Sequence, residues 1–259
     1  MNVAIVNTLL PNQRVSEGGE NSGIESGFET GTFGVLGGYS KHNINNEFGT
    51  SGLDVESVFG GVYWKQSLDM AQLNLALVGG VSSNDGTRNV GGSIARSDYD
   101  GWFISPSATL SMPFDMFDQS LIASARVSYA GLFLDGYTET GGGLPLTVDD
   151  RNVHLINSRL QMMAPRTFFN DNGSHTHVET RAGVDVQFDA GSGDVKTLVA
   201  GTPLNFSADL DDEFAGFVGA SITHTFAGEA FSITASTELQ TNFSGDMSAF
   251  GQIKAAMKF

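Results

Sequence analysis

Apolar and polar residues alternate over long stretches of this chain, and that period of two constrains the fold more than any other feature. From Phe231 to Gln240 every second residue is Phe, Ile, Ala, Thr or Leu, with polar residues between them, and the pattern returns from Gly251 to Phe259. Successive side chains of a β-strand point to opposite faces of a sheet, so each segment has one apolar and one polar face. Eight further segments alternate in the same way and no stretch keeps a helical period, which predicts an all-β protein with additional strands near residues 31–42, 55–66, 70–83, 99–113, 119–134, 150–164, 174–188 and 213–226.

The length of these segments and the spacing of aromatic residues indicate a membrane. Ordinary strands run to about 5–6 residues, whereas these alternate for about twice as long. Twelve residues at about 3.3 Å each, tilted by roughly 40°, rise about 30 Å, slightly more than the apolar band of about 25 Å around a transmembrane barrel. We therefore predict a transmembrane antiparallel β-barrel, because aromatic residues recur twelve positions apart on the apolar face in the pairs Trp102 and Phe114, Phe214 and Phe226, and Phe231 and Phe243.

The connections between the predicted strands alternate between short and long, as expected of an outer-membrane barrel with short periplasmic turns and long outside loops. The short connections are Gln66–Asp69, Asp115–Asp118 and Ala227–Glu229, and the connection Pro165–Gly173 is intermediate in length and falls on the short side by the count. Counting back from a periplasmic C-terminus, every long connection lies outside, namely Asn43–Asp54, Asn84–Asp98, Asp135–Asp149 and Asp189–Asp212. Pro106 lies within a predicted strand and lacks the N–H that a ladder needs, so a bulge is expected there.

Composition narrows the classes of function. The 259 residues include 29 acidic and 13 basic ones, for a formal net charge of -16, which argues against a nucleic-acid partner. There is no cysteine, hence no disulfide and no thiolate ligand. The glycines between Gly34 and Gly38 lack the strand–helix setting of a phosphate-binding loop, and no cofactor is expected. No run reaches the roughly 18 apolar residues of a membrane helix, and composition alone fits a soluble protein as well as a barrel.

Several short motifs, in order along the chain, resemble those of the autotransporter β-domain. They are Phe33-Gly34-Val35-Leu36-Gly37-Gly38-Tyr39-Ser40, Val127-Ser128-Tyr129, the loop Tyr137-Thr138-Glu139, Asn157-Ser158-Arg159-Leu160 and Thr180-Arg181-Ala182-Gly183-Val184. The C-terminal alternation ending in Phe259 is similar to the signal that the outer-membrane barrel assembly machinery reads. The chain is thus identified as similar to the translocator domain of type V secretion, over about residues 23–259.

The resemblance implies twelve strands, a location in the outer membrane of a Gram-negative bacterium, and a helix that threads the pore. Two strands beyond the ten above would then lie near Val3–Leu10 and Gly23–Thr30. We accordingly divide the chain into an N-terminal lead-in over residues 1–22, which holds a first strand or the end of the threading segment, and a barrel over 23–259. The implied partners are the protein's own passenger domain, the assembly machinery, lipid and lipopolysaccharide. The assembly signal consists of Ile253, Met257 and Phe259.

The polar faces of the strands would line the lumen of such a barrel. Their charges either form a hydrated passage for an extended chain or a threading helix, or pair with one another to fill a narrow barrel. His175 shares a face with another histidine, but no carboxylate at ligand spacing completes a metal site. No metal site and no catalytic residue are predicted, and the residues expected to face the lumen are Arg126, Arg159, His177, Glu179, Arg181 and Asp185.

Three classes of function stay open. The first is a translocator that passes and anchors its own N-terminal passenger, which is not an enzyme. The second is an outer-membrane channel or a surface adhesin barrel. The third is a membrane-embedded hydrolase, which would need nucleophile or acid–base residues clustered at the outer rim, and the sequence offers no convincing spacing for them.

Overall fold

The computed structural model describes residues 2–10, 13–28, 31–46, 50–142, 144–189, 194–199, 202–207, 212–243 and 245–257. Seventeen strands lie in these ranges: β1 Asn2–Leu10, β2 Gln13–Phe28, β3 Gly31–Asn46, β4 Ser51–Ser67, β5 Gln72–Val90, β6 Ser93–Met116, β7 Gln119–Leu134, β8 Tyr137–Thr138, β9 Thr140–Gly141, β10 Leu146–Val148, β11 Arg151–Phe169, β12 His175–Asp189, β13 Asp194–Val199, β14 Thr202–Ser207, β15 Glu213–Thr225, β16 Phe231–Asn242 and β17 Met247–Met257.

Twelve of these strands form one closed antiparallel barrel. The ring runs β1-β2-β3-β4-β5-β6-β7-β11-β12-β15-β16-β17 and closes where β1 pairs with β17. Along the closing seam Val3 lies opposite Ala255 and Leu9 opposite Ala249. Closure leaves each of the twelve described strands with two neighbours, so none of these strands has an open edge, as a bilayer requires. The all-β barrel and its twelve strands are confirmed.

The ten strands read from the alternation are present, most of them a few residues longer than predicted. The first two strands are β1 and β2. The second begins at Gln13, ten residues before the segment expected at Gly23–Thr30. A boundary after residue 22 therefore falls inside β2, and the barrel as described begins at Asn2.

The barrel has two distinct ends. The turn end carries the connections 68–71, 117–118, 170–174 and 226–230, together with the first residues of β1 and the last of β17. The loop end carries 91–92, 135–150, 190–212 and 243–246. All the connections predicted to be long lie at the loop end, and all those placed on the short side lie at the turn end. The predicted alternation of connections between the two ends is therefore right.

Two of the predicted long loops are wrong in their structure, because the strands continue through them. Asn43 still pairs with Asp54 between β3 and β4, and Asn84 still pairs with Tyr99 between β5 and β6. β5 and β6 meet at a turn of Gly91 and Gly92, with φ of 59° and 87°, and two consecutive left-handed residues suit a tight hairpin. Polar side chains beyond the bilayer lose the apolar period but do not stop backbone pairing.

The other two long connections build a small second sheet. Its order is β14-β13-β10-β8, and it joins the segment after β7 to the segment after β12. We call these four strands the loop sheet. The neighbouring strand β9 pairs with β6 instead, with Ala95 opposite Gly141 and Arg96 opposite Thr140.

Pro106 does not produce the expected bulge. The register of β6 against β5 is continuous through Leu77 opposite Pro106. Against β7 the pairing stops after Ile104 opposite Gly131 and resumes in the same register at Ser107 opposite Ser128. A missing N–H removes a rung of the ladder, and the strand tolerates that gap without taking in an extra residue.

The outer face of the barrel carries large apolar side chains. Trp102 stacks on Phe133 of the next strand at 3.8 Å between ring centroids, and Phe114 lies on the same face of β6 twelve residues further along. Exposed on this face are also Val58, Val62, Trp64, Leu110, Leu160, Val184, Val218, Leu239 and Ile253. This is the surface that faces lipid in a transmembrane barrel. In the described ranges there is no helix long and apolar enough to cross a bilayer.

Candidate functional site: the charged wall of the lumen

Contacts between strands that are not neighbours identify the inner face of the barrel. Arg159 on β11 bonds Glu238 on β16, although β12 and β15 lie between them. Side chains can meet across two intervening strands only on the concave side of a curved sheet. The positions that share the face of Arg159 therefore line the lumen.

Arg159 is the centre of an ion-pair cluster on this face. Its Nε and Nη2 donate to Asp185 at 2.8 and 2.5 Å, and its Nη1 and Nη2 donate to Glu238 at 3.3 and 2.8 Å. The guanidinium also lies over the Phe217 ring, 4.0 Å from its centroid. Only 6% of Asp185 and 8% of Glu238 is exposed. Paired charge-assisted bonds of this kind are strong and directional, which fixes the guanidinium in place.

A second arginine extends the cluster. Arg181 on β12 donates from Nε to Glu238 at 3.0 Å, and its Nη1 lies 3.8 Å from Glu179. Register explains the meeting, because Arg181 and Glu238 each lie opposite Gly219 on the strand between them. A side chain at that position would occupy the space in which the two charges meet, since a Cβ on Gly219 would lie 2.9 Å from the Arg181 Nε.

Arg126 differs from the other two arginines. It lies on the same face of β7, directly opposite Thr109 on one side and Arg159 on the other. Its side chain is exposed to the lumen, and with the described residues it makes no ion pair and no hydrogen bond. The carboxylates near Arg159 are already engaged, so Arg126 presents a positive charge with no protein partner in the described ranges.

We call Arg126, Arg159, Glu179, Arg181, Asp185 and Glu238 the charged wall. It spans five consecutive strands of the ring, from β7 to β16. The facing part of the lumen, on β3 to β5, differs in character, because many of its inner positions are small. These positions are Gly34, Gly38, Gly61, Ala76 and Gly80. At Gly34 and Gly80 the space that a side chain would take is occupied by the rings of Tyr63 and Phe103, so this part of the lumen is lined by apolar and aromatic groups rather than by charges.

The histidines make local contacts and do not assemble a reactive centre among the described residues. His177 Nδ1 lies 3.0 Å from Thr167 Oγ1 near the turn end, and His175 packs beside Phe169. His154 Nδ1 lies 2.7 Å from the Tyr129 hydroxyl on the outer face, where amphipathic rings suit a membrane interface. The described part of the chain contains no group of three or more His, Asp or Glu side chains that could hold a metal ion.

The structure places all six residues predicted to line the lumen on the inner face and brings five of them into the charged wall. His177 is the exception and lies toward the turn end of β12. The sequence analysis did not single out Glu238, the carboxylate that joins Arg159 and Arg181, although the alternation places it on the polar face of β16. Of the predicted assembly signal, Ile253 and Met257 are exposed on the outer face of β17, and Phe259 lies outside the described residues.

Known proteins share both the sequence pattern and the fold of this chain. The family model described as the autotransporter β-domain matches residues 14–246. A search of curated protein sequences finds no match.

Solved structures share the fold at low identity. The chain is similar over its full length to the translocator domain of the autotransporter NalP from Neisseria meningitidis, with 14% identity, 86% of that chain covered and a TM-score of 0.73. It is similar to the β-domain of the Bordetella autotransporter BrkA, with 12% identity, full coverage of this chain, 97% of that chain covered and a TM-score of 0.67. The transport unit of the autotransporter AIDA-I from Escherichia coli gives 11% identity, full coverage of this chain, 88% of that one and a TM-score of 0.55.

Proposed function

The chain belongs to the autotransporter β-domain family, and on that premise we propose that the charged wall is the surface past which the linked passenger segment moves through the lumen. The molecule is a translocator barrel of the Gram-negative outer membrane, and membership of the family implies a passenger domain joined to it. Particular lumen residues of this barrel have roles in that transport.

The observation that carries the proposal is the pairing within the charged wall. Arg159 and Arg181 are held by Asp185, Glu179 and Glu238. Guanidinium and carboxylate groups that already satisfy one another offer little to a passing backbone, because a new bond to either would require an existing charge-assisted bond to break. Such a surface does not hold an extended chain.

Arg126 has the complementary role. Because its guanidinium has no partner in the described residues, it is available to an acidic side chain in the lumen. A single exposed contact of this kind is weak, typically about 0–1 kcal/mol. It orients a segment without trapping it.

The remaining partners follow from the two faces of the barrel. We propose that the outward apolar positions Ile253 and Met257, with Phe259, form the signal read by the barrel assembly machinery, and that the outer face contacts lipid and lipopolysaccharide. Translocator barrels of this family are typically non-enzymatic. We propose the same for this chain, since the six side chains of its charged wall are arginines and carboxylates, and five of them are paired with one another.

A charge reversal tests the lumen assignment. Arg126→Glu changes the charged wall from three arginines and three carboxylates to two arginines and four carboxylates, so reconstituted barrels should become more cation-selective. The readout is the reversal potential in a salt gradient across a planar bilayer. Arg166→Glu makes the same change on the outer face of β11 and should leave the reversal potential unchanged.

Passenger display completes the test in cells carrying the full-length protein. Arg126→Glu should slow the appearance of a passenger whose linker is acidic, and Arg166→Glu should not. Equal reversal potentials for the two variants would overturn the lumen assignment of Arg126. A shifted potential with unchanged display would overturn its role in transport and leave the lumen assignment standing.

A further inference from the structure

The loop sheet is attached to the barrel through lumen-side positions. Arg88, Ala95, Tyr99 and Arg151, which all contact the loop segments, have the parity of the inner face on β5, β6 and β11. Ala95 is fully buried and Tyr99 is 7% exposed, so the contact is close. Because these four positions face the lumen, the side-chain anchors reach the loop segments from the inner side of the barrel wall.

A bidentate ion pair is the first anchor. Arg88 on β5 donates from Nε and Nη2 to Glu139, at 2.9 and 2.5 Å, and from Nη2 to the Leu144 carbonyl at 3.1 Å. Glu139 also accepts from the Leu146 N–H at 2.9 Å and is 7% exposed. The Glu139 carboxylate thus joins β5 of the barrel wall to β10 of the loop sheet, whose first residue is Leu146.

An aromatic stack is the second anchor. Tyr137 of β8 stacks on Tyr99 of β6, with 4.6 Å between centroids. Arg151 lies over both rings, at 5.1 and 5.7 Å, and donates to the Tyr99 hydroxyl at 3.0 Å. Dispersion and cation–π attraction hold the stacked rings and the guanidinium together. Neither attraction requires backbone hydrogen bonds between the loop segment and a barrel strand.

We propose that the loop sheet is a lid across the loop-end mouth of the lumen, held shut by the Arg88–Glu139 pair and able to swing away while the barrel stays intact. In the described residues, backbone contact between the loop segments and the barrel consists of two residue pairs of β9 against β6 and the hydrogen bond that the Asp135 N–H donates to the Asp100 carbonyl at 3.0 Å. Opening therefore breaks a few anchors and no rung between the twelve barrel strands. The lid does not depend on the role assigned to the charged wall, because it acts on anything that passes the mouth.

Conductance of the purified barrel tests the first half of the proposal. Glu139→Gln removes the ion pair, and we expect the ratio of open to closed time in single-channel records to rise about tenfold, the usual scale for a lost bond to a charged group. The matched control is Glu56→Gln, which removes the Lys41–Glu56 pair of the same 2.5 Å length on the outer face. An equal record for both variants overturns the proposal.

A disulfide lock tests the second half and does not rely on a destabilising change. The chain has no cysteine, and Arg96 and Thr140 are direct cross-strand partners, so Arg96→Cys with Thr140→Cys can be bridged. Oxidation should abolish the open state and reduction should restore it in the same protein. If the oxidised and reduced forms conduct alike, the loop sheet does not gate the mouth and the proposal fails.

Discussion

For a single residue, its odd or even position along the strand decides whether the side chain meets lipid or water. Ala235 and Ser236 are neighbours on β16, yet Ala235 lies opposite Ile253 on the outer face and Ser236 opposite Gln252 on the inner face. The same parity puts Phe231 outside and Glu238 inside. Substitutions at adjacent positions should therefore have very different costs.

An arginine at each of these positions measures that difference. Ala235→Arg places a charge near the middle of the lipid band and should cost about 2–4 kcal/mol of barrel stability, whereas Ser236→Arg reaches the hydrated lumen and should cost much less. Reversible denaturant unfolding in lipid vesicles gives both values. Equal costs would mean that the faces of β16 are assigned the wrong way round.

Gly34 shows why some inner positions admit no side chain. The ring of Tyr63 on β4 lies across Gly34. A Cβ at Gly34 would clash with this ring, because it would lie much closer to the ring atoms than van der Waals contact allows. Gly34→Ala should destabilise the barrel by about 1–3 kcal/mol, as overpacking usually does. Adding Tyr63→Leu should recover much of that loss in a double-mutant cycle, while additive effects would contradict the proposed contact.

At the scale of elements, the loop sheet depends on one carboxylate whose charge is tied to pH. The pKa of Glu139 is lowered from its ordinary 4.5, chiefly because Arg88 donates to it and also because the Leu146 N–H does. Arg151, Tyr99 and Tyr137 form the neighbouring anchor. A lowered folded-state pKa means that this stabilisation is fully present above pH 4.5 and is lost as the pH falls through the lower folded value.

The protection of the loop-sheet amides against hydrogen exchange should change with pH over the same range. Amide hydrogen exchange of residues 146–148 should report a constant opening free energy from pH 7 to 5, after correction for intrinsic rates, and easier opening below 4.5. In Glu139→Gln the opening free energy should be lower and should lose most of this dependence. A wild-type profile that stays flat down to pH 3 would contradict a role for the Glu139 charge.

The last strand carries a prediction about assembly. In the proposed assembly signal, β17 is recognised first, and its pairing with β1 then leaves no open edge in lipid. Deleting Phe259 should lower the amount of heat-modifiable barrel in the outer membrane of cells and leave the refolded barrel in detergent nearly as stable as before. Phe250→Leu, on the inner face of β17, is a control that should assemble normally. Unchanged assembly without Phe259 would refute the terminal signal.

At the scale of the whole molecule, the alternation of the sequence is enough to predict the barrel and ten of its strands, whereas the count of twelve came from the resemblance to the autotransporter β-domain. It was not enough for the hairpin of β5 and β6, because polar side chains above the bilayer carry no apolar period although Gly91 and Gly92 still close a turn. The loop sheet and the link through Glu238 depend on contacts between distant segments. Local patterns do not specify such contacts, so only the structure reveals them.

The function proposed for this barrel is to pass a chain through its lumen to the cell surface. The first described residue of β1 lies at the turn end, so a segment joined before it must cross the lumen to reach the loop end. The most direct measurement is surface display of two fusions, each placed behind an export signal and the native linker. An unstructured epitope tag should become accessible to antibody on intact cells, and a domain that folds stably before transport should stall in the periplasm. Failure to display the unstructured tag from a correctly assembled barrel would contradict transport and favour a channel or an adhesin.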